Sequence, residues 1–372
     1  MLGRMSRLSP RLGAVLLGCL AVACSSTANN NGNRAATVVA PATQRPTGAS
    51  TGTPARAVAP TAGGITPSTP AAALSAGKVT LTLFGAGTLA NPFNDADTRF
   101  AAANPNVTVQ AQFGGSVKEV KQVTDLGQPA DVVAVADYAV IPQYMFGQGG
   151  KQRFATWYAG FVANAITFVY TDQSKGAGQI TSQNWYEVLS QPGVRIGRSN
   201  PDTDPSGYQT LQMLKLAETY YHKPGLSAAI LKNAPTTYIR DTETELIGAL
   251  QAGEIDYLAI YKSDALQHKF KFLDLPSDIS LSDPAKAPTY ATVSVHTANG
   301  TLMAKPIIYA LTIPTNAPHA DWAERYVAFV LGPAGQTILG DAGFTVLQPA
   351  VATPIAAVPA ALRNLVQAWP AQ

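Results

Sequence analysis

From residue 77 onward, short apolar runs alternate with longer segments in which apolar residues recur every three or four positions. The short runs have the length of β-strands, and the longer segments have the period of helices that bury one face. The first series predicts strands at 79–84, 107–113 and 131–135, with helices at about 91–103 and 116–124. This alternation is typical of an α/β fold with a mostly parallel sheet.

A second series of the same kind follows. Strands are predicted at 165–170, 195–198 and 257–261, and helices at about 184–189, 205–221 and 242–250. A later strand at 306–313 and an amphipathic helix at 321–331 are expected to return to the first series. Two α/β lobes in one chain predict a ligand cleft between them. We place the first lobe at 77–161, the second at 162–275, and a return to the first lobe, with C-terminal helices, at 276–372.

Residues 1–76 differ in composition from the rest. Three arginines precede an uncharged apolar run at 12–23, which is too short to cross a bilayer and is typical of a secretory signal. Small residues lead up to Cys24, as at the processing site of bacterial lipoproteins. We therefore predict that 1–23 are a lipoprotein signal peptide and that Cys24 is lipidated, which would anchor the exported protein to the outer face of the cell membrane. The alternative is ordinary cleavage beside an incidental cysteine.

The chain from Cys24 to residue 76 consists mainly of Thr, Ala, Pro, Gly, Ser and Asn and contains no aromatic residue. A segment of this composition cannot bury enough apolar surface to offset its chain entropy. We predict a disordered tether, although a glycosylated stalk has a similar composition. The other cysteine, Cys19, would leave with the signal peptide, so no disulfide is expected in the folded part.

The charge of the chain is nearly balanced. Its 26 basic and 23 acidic residues give a formal net charge of +3, and the three arginines of the predicted signal account for this excess. Nucleic acid is therefore not an expected partner. A protein without a broad positive field that binds an anion must do so through local dipoles.

The predicted strand at 79–84 opens through Gly85, Gly87 and Thr88 into a predicted helix. Free backbone N–H groups at such a turn, together with a hydroxyl, bind anions. The glycines also fit a dinucleotide-binding fingerprint, but the strand at 107–113 does not end in the acidic residue that this fingerprint requires. No Lys-Ser or Lys-Thr pair follows the glycines directly, as a nucleotide-phosphate loop would need. A small anion is therefore favoured over a nucleotide.

Three other junctions between a loop and a helix have similar features. Ser116 follows two glycines, Asp204 stands before Pro205 as a natural N-cap, and Thr242 and Glu245 have the spacing of a capping box. Each helix start leaves N–H groups unsatisfied and carries a partial positive charge. Several such starts in one cleft would bind an oxyanion. The histidines form no ligand-spaced pair, and no nucleophile and base stand together, so neither a histidine metal site nor an enzyme is predicted.

Ordered motifs along 79–372 resemble the periplasmic molybdate/tungstate-binding proteins that serve ABC importers, and among them the branch first known from archaeal tungstate transporters. The motifs are FGAGTL at 84–89, GSVK at 115–118, TDLGQPADV at 124–132, ADY at 136–138, SNPDTDPSGY at 199–208, GEIDY at 253–257, YKS at 261–263 and GP at 332–333. The resemblance implies a two-lobed, type II periplasmic-binding-protein fold with the ligand between the lobes. It also implies a monomer that binds rather than catalyses, needs no cofactor, and has an ABC permease and ATPase as partners.

The same resemblance implies an oxyanion-binding set. Thr88 and Ser116 of the first lobe would each donate an O–H and an N–H to the anion. In the second lobe, the junction at Asp204, the backbone amide of Glu243 and the hydroxyl of Tyr261 would complete the shell.

One position departs from the family pattern. Archaeal members carry a glutamate before this tyrosine and use it, with an aspartate at the position of Asp204, as a ligand of the metal centre, whereas this chain has Ile260. Asp204 would then contact the molybdenum or tungsten centre, accept from a protonated oxyanion, or turn away as an N-cap, and we favour the N-cap. Ile260 and Thr88 also leave open a site for sulfate or phosphate. A sensor or an exported enzyme of the same fold is a further alternative.

Overall fold

Two large β-sheets and a separate two-stranded hairpin, flanked by helices, form the part of the chain that the structure describes. The structure is a computed structural model, and it describes residues 77–370. The predicted signal peptide, Cys24 and the predicted tether lie outside these residues. The described residues belong to one compact unit.

The first series of elements follows the predicted order. It consists of β1 (Val79–Ala86), α1 (Ala90–Ala103), β2 (Val107–Gly114), α2 (Ser116–Thr124), β3 (Val132–Val135), α3 (Val140–Met145) and β4 (Tyr158–Ala163). The predicted bounds agree with these to within two residues, except that α3 and β4 have no predicted counterparts.

The second series contains short strands and one long helix. It consists of β5 (Ile166–Tyr170), α4 (Trp185–Leu189), β6 (Ile196–Ser199), α5 (Pro205–Tyr220), α6 (Leu226–Leu231), β7 (Ile239–Arg240), α7 (Ile247–Gln251), β8 (Tyr257–Tyr261), α8 (Lys262–Gln267) and β9 (Lys271–Phe272). The helix predicted at 242–250 starts later than expected, as a 3₁₀ turn at Thr244–Leu246 that continues into α7.

The last part of the chain returns to the first sheet. It consists of α9 (Ser277–Ser280), α10 (Ala287–Tyr290), β10 (Ser294–Thr297), β11 (Gly300–Met303), β12 (Ile308–Thr312), α11 (Ala320–Leu331), α12 (Pro333–Asp341), β13 (Thr345–Thr353) and β14 (Val366–Ala368). Short 3₁₀ helices at Ile355–Ala357 and Ala360–Leu365 separate β13 from β14.

Both sheets mix parallel and antiparallel strands, whereas the alternation in the sequence predicted mostly parallel ones. The seven-stranded sheet has the order β14-β13-β4-β12-β3-β1-β2, and the five-stranded sheet has the order β7-β6-β8-β5-β9. In the first sheet β1 is parallel to β2 and β3, but β12 is antiparallel to β3 and β4. In the second, β6 is parallel to β7 and β8, but β5 is antiparallel to β8 and β9. Because β4 reaches Ala163, the first sheet extends two residues past the predicted lobe boundary at 161/162.

The strands that lead to the cleft are the most deeply buried. Every residue of β3 and of β8 is buried, as expected for strands covered on both faces. Successive side chains of β8 enter different apolar clusters, with Tyr257 and Tyr261 in the main core and Ile260 in a smaller one beside α7. This packing fixes the strand ends from which the functional side chains project.

We expect Gly335→Ala to lower the free energy of unfolding by more than about 2 kcal/mol, the range of overpacking in a tight interior. A Cβ at Gly335 would lie 2.1 Å from the backbone oxygen of Val330, where α11 turns into α12. Gly340→Ala in the same helix is the control, because its Cβ would meet only Val346 at 3.9 Å. It should raise stability by up to about 1 kcal/mol through the helix preference of alanine. Urea unfolding measures both, and equal effects of the two changes would contradict the prediction.

Candidate functional site

Loops at the carboxyl ends of strands from both sheets meet at the cleft. Thr88 and Ser116 follow β1 and β2, while Asp204 and Glu243 follow β6 and β7. A Cβ on Gly115 would lie only 2.5 Å from the backbone oxygen of Thr203 in the second lobe. The backbone of the first lobe therefore touches the second lobe directly beside the predicted anion-binding residues.

Further contacts hold the two lobes together around this point. The Lys118 amide donates to the Thr203 oxygen at 3.4 Å, and Lys118 Nζ lies 3.1 Å from Asp241 Oδ2. At the tip of the β10–β11 hairpin, Asn299 Nδ2 donates to the Asp202 oxygen at 2.7 Å, and Asn299 Oδ1 accepts from Lys121 Nζ at 3.3 Å. These bonds close the cleft in this structure.

Thr88 lies buried in the turn Gly87–Leu89, as its predicted role requires. Its Oγ1 is 2.9 Å from the hydroxyl of Tyr309, and that hydroxyl accepts from Asn164 Nδ2 at 3.3 Å. Either hydroxyl can be the donor of the Thr88–Tyr309 bond. When Tyr309 donates, the hydrogen of Thr88 is available to another acceptor. No sequence pattern marked Tyr309 as a functional residue, because it lies within an apolar strand.

Ser116 is fully buried at the first position of α2. Its Oγ accepts from the Ala136 amide at 2.9 Å, just after β3. Among the described residues its hydroxyl hydrogen has no recorded acceptor. Ser116 is thus oriented by one bond, and its O–H remains available to an acceptor.

Asp204 stands at the N-cap position of α5 with extended backbone, but its side chain makes no capping bond. Its Oδ2 instead accepts from Ser206 Oγ at 2.7 Å, and the same hydroxyl lies 2.8 Å from Glu243 Oε2. Ser199 Oγ lies 2.5 Å from Ser206 Oγ. The favoured N-cap role is therefore wrong for the side chain, which belongs to a buried carboxyl cluster.

The carboxyl groups of this cluster are deeply desolvated. Asp204 and Glu243 are 4% and 2% exposed. Burial, with Glu243 beside it, raises the pKa of Asp204 well above its usual range, and burial also raises the pKa of Glu243. Burial and the charge of Asp204 raise the pKa of a third carboxyl, Asp264 at the start of α8, to about 8. Ionised carboxylates here would repel a dianion.

Glu243 contributes a side chain where the sequence predicted only its amide. Its carboxyl lies 2.8 Å from the Ser206 hydroxyl. The predicted capping box does not form, since Thr242 Oγ1 contacts Thr244 Oγ1 at 2.9 Å and the 3₁₀ turn lacks a side-chain cap. Ile260 packs in the apolar cluster beside α7. The second carboxyl of the site thus comes from Glu243, not from the position before Tyr261.

Tyr261 does not offer the expected donor. Its hydroxyl donates to Gln209 Oε1 at 2.7 Å inside the core. In this arrangement Tyr261 orients Gln209, a residue that the sequence analysis did not single out. Within 77–370, no three His, Cys, Asp or Glu side chains are grouped so as to hold a metal ion.

Residues 81–345 match the family model described as bacterial extracellular solute-binding protein. The chain belongs to this family. Across the described range of this solute-binding protein, no helix is both long and apolar enough to cross a membrane.

The matches between this solute-binding protein and its relatives cover most of the length of each relative. An uncharacterized solute-binding protein of Petrotoga mobilis is 37% identical over 293 residues, which cover 77% of this chain and 90% of the relative. The molybdate/tungstate-binding protein WtpA of Pyrococcus abyssi is 36% identical over 315 residues, with the same shares. The periplasmic molybdate-binding protein of Azotobacter vinelandii shares the fold, with a TM-score of 0.54, 18% identity, and coverage of 72% of this chain and 100% of that one.

We expect Gly115→Ala to weaken ligand binding by this solute-binding protein by at least about tenfold, because a Cβ cannot fit against the Thr203 oxygen in the closed cleft and a clash costs about 1–3 kcal/mol. Gly248→Ala is the control, since a Cβ there meets nothing within 4 Å. Titration calorimetry with molybdate measures the affinity, and thermal unfolding without ligand should show that the variant still folds. Equal affinities for Gly115→Ala and the parent would show that the lobes need not approach this closely.

Proposed function

We propose that this protein captures a molybdate or tungstate ion between its lobes and delivers it, without chemical turnover, to an ABC importer. The observation that carries the proposal is the pair of buried hydroxyls of Thr88 and Ser116 where the two lobes meet: Ser116 keeps its hydrogen, and Thr88 does so when Tyr309 donates to it. The relative from Pyrococcus abyssi, which is named for molybdate and tungstate, supports this choice of anion. Neutral donors suffice, because a hydrogen bond to a charged acceptor is about twice as strong as a neutral one.

The ligand's size would separate these anions from sulfate. Ser116 is fixed by the Ala136 amide and Thr88 by Tyr309, so neither donor can move far toward a smaller ion. Molybdate and tungstate are larger than sulfate and would reach both donors at once. A site for sulfate or phosphate is the alternative, because Thr88 carries a methyl group beside its donor.

Titration calorimetry on residues 78–372 with molybdate, tungstate, sulfate and phosphate tests the proposal. We expect tight one-to-one binding of molybdate and tungstate, and much weaker binding of the other two. Binding of sulfate or phosphate in preference, or of none of the four, would contradict it.

We expect Ser116→Ala to weaken molybdate binding more than tenfold, because the buried anion would lose a donor and keep an unsatisfied oxygen. Ser190→Ala is the matched control, since Ser190 bonds only to the Tyr186 oxygen in α4, away from the cleft. Calorimetry gives both affinities. If Ser116→Ala binds as the parent does, Ser116 is not part of the site.

We further propose that a lipid on Cys24 keeps the protein at the outer face of the cell membrane, within reach of the permease. Export and the lipid rest on the sequence at 1–24 alone. Cys24→Ser should release the protein from the membrane fraction and leave molybdate affinity unchanged. Fractionation of cells that express each form checks this, and a Cys24→Ser protein that stays with the membrane would contradict the anchor.

A further inference from the structure

Three carboxyls of the second lobe are buried, and two of them share one hydroxyl partner. Asp204 and Glu243 both contact the hydroxyl of Ser206, and Asp264 is 2% exposed. Asp264 Oδ2 has no hydrogen-bond partner among the described residues. A buried polar atom without a partner in the protein indicates that a bound ligand or an added proton satisfies its hydrogen-bonding capacity.

The hydrogens around Ser206 can be counted. Its Oγ lies within hydrogen-bond distance of Asp204, Glu243 and Ser199, but a serine hydroxyl carries one hydrogen. If both carboxyls were ionised, Ser206 could donate to only one of them, and the other would face an oxygen at 2.8 Å or less with no hydrogen between. At least one of the two carboxyls therefore holds a proton in this structure.

No cation offsets these acids within residues 77–370. Lys305 Nζ lies 2.9 Å from Asp137 Oδ2, which also accepts from the Tyr208 hydroxyl at 2.6 Å. Arg198 donates to the Ser199 backbone oxygen rather than to a carboxyl. The remaining titratable groups that face the cluster are two tyrosines with their own partners, Tyr261 with Gln209 and Tyr309 with Thr88.

We propose that this protein binds its oxyanion with the carboxyls of Asp204, Glu243 and Asp264 protonated, so that they present O–H groups rather than negative charge to the bound dianion, and that any of the three still ionised takes up its proton with the anion. The inference rests on the proposed function, since it takes a tetrahedral dianion as the ligand. Molybdate and tungstate bring no proton at neutral pH, so the protons come from solvent or already reside on the carboxyls. A dianion beside a carboxyl disfavours ionisation further.

The direction of the pH dependence follows from the raised pKa values. Burial raises the pKa of Asp264 to about 8 and that of Asp204 well above its usual range. Below this pH the carboxyls of the free protein already hold their protons, and binding takes up none. As pH rises above about 8, each missing proton must be taken up when the anion binds, and the affinity falls by about tenfold per pH unit for each one.

Calorimetry of the full chain with molybdate, from about pH 6 to about pH 9 in pairs of buffers with different ionisation enthalpies, counts the protons bound with each anion. We expect a count near zero at the acidic end that rises toward one or more at the basic end, with a parallel loss of affinity. Binding without uptake at the basic end, or with proton release, as ligation by ionised carboxylates would give, overturns this inference alone. Absence of molybdate and tungstate binding at every pH overturns the proposed function and this inference with it.

Asp264→Asn tests the assignment of one proton, because asparagine has nearly the same shape, offers N–H donors and cannot ionise. It should bind molybdate more tightly than the parent at about pH 9 and show a shallower loss of affinity with pH. Asp97→Asn is the control, since Asp97 is a carboxyl in α1 that bonds to Tyr326 away from the cleft and has a pKa raised to about 6 by burial. It should keep the parent's slope. Equal slopes for Asp264→Asn and the parent overturn the role of Asp264, and Glu243→Gln repeats the test if Asp264→Asn does not fold.

Discussion

An anion site built without a cation is the constraint on which the rest of this structure depends. Among the described residues, no lysine or arginine forms an ion pair with Asp204, Glu243 or Asp264. A dianion beside these carboxyls must therefore be held by dipoles and hydrogen bonds. In the proposed site, a protein partner therefore positions each hydroxyl. The Ala136 amide donates to Ser116 Oγ, and Thr88 Oγ1 shares a hydrogen bond with Tyr309, to which Asn164 donates. Donors aimed in advance lose little freedom when the ligand binds.

Closure of the cleft strengthens the hydrogen bonds that these donors form, and the absence of a side chain at Gly115 allows the lobes to close. Gly115 lies against the Thr203 oxygen, where no side chain would fit, and the β10–β11 hairpin ties both lobes through Asn299. Exclusion of water lowers the local dielectric, which strengthens each hydrogen bond to the anion and also raises the pKa of the carboxyls. The same contacts thus set both the strength of the donors and the protonation of the acids.

The sequence predicted most of the elements that carry the site, because strand length and helical period are local properties. It did not predict that β4 and β12 lie in the middle of the first sheet, since pairing between strands distant in sequence leaves no local pattern. Thr88 and Ser116 could be named because a glycine turn and a helix start mark them. The Glu243 carboxyl and the Tyr309 hydroxyl could not, because one depends on where a 3₁₀ turn begins and the other is an aromatic in an apolar strand.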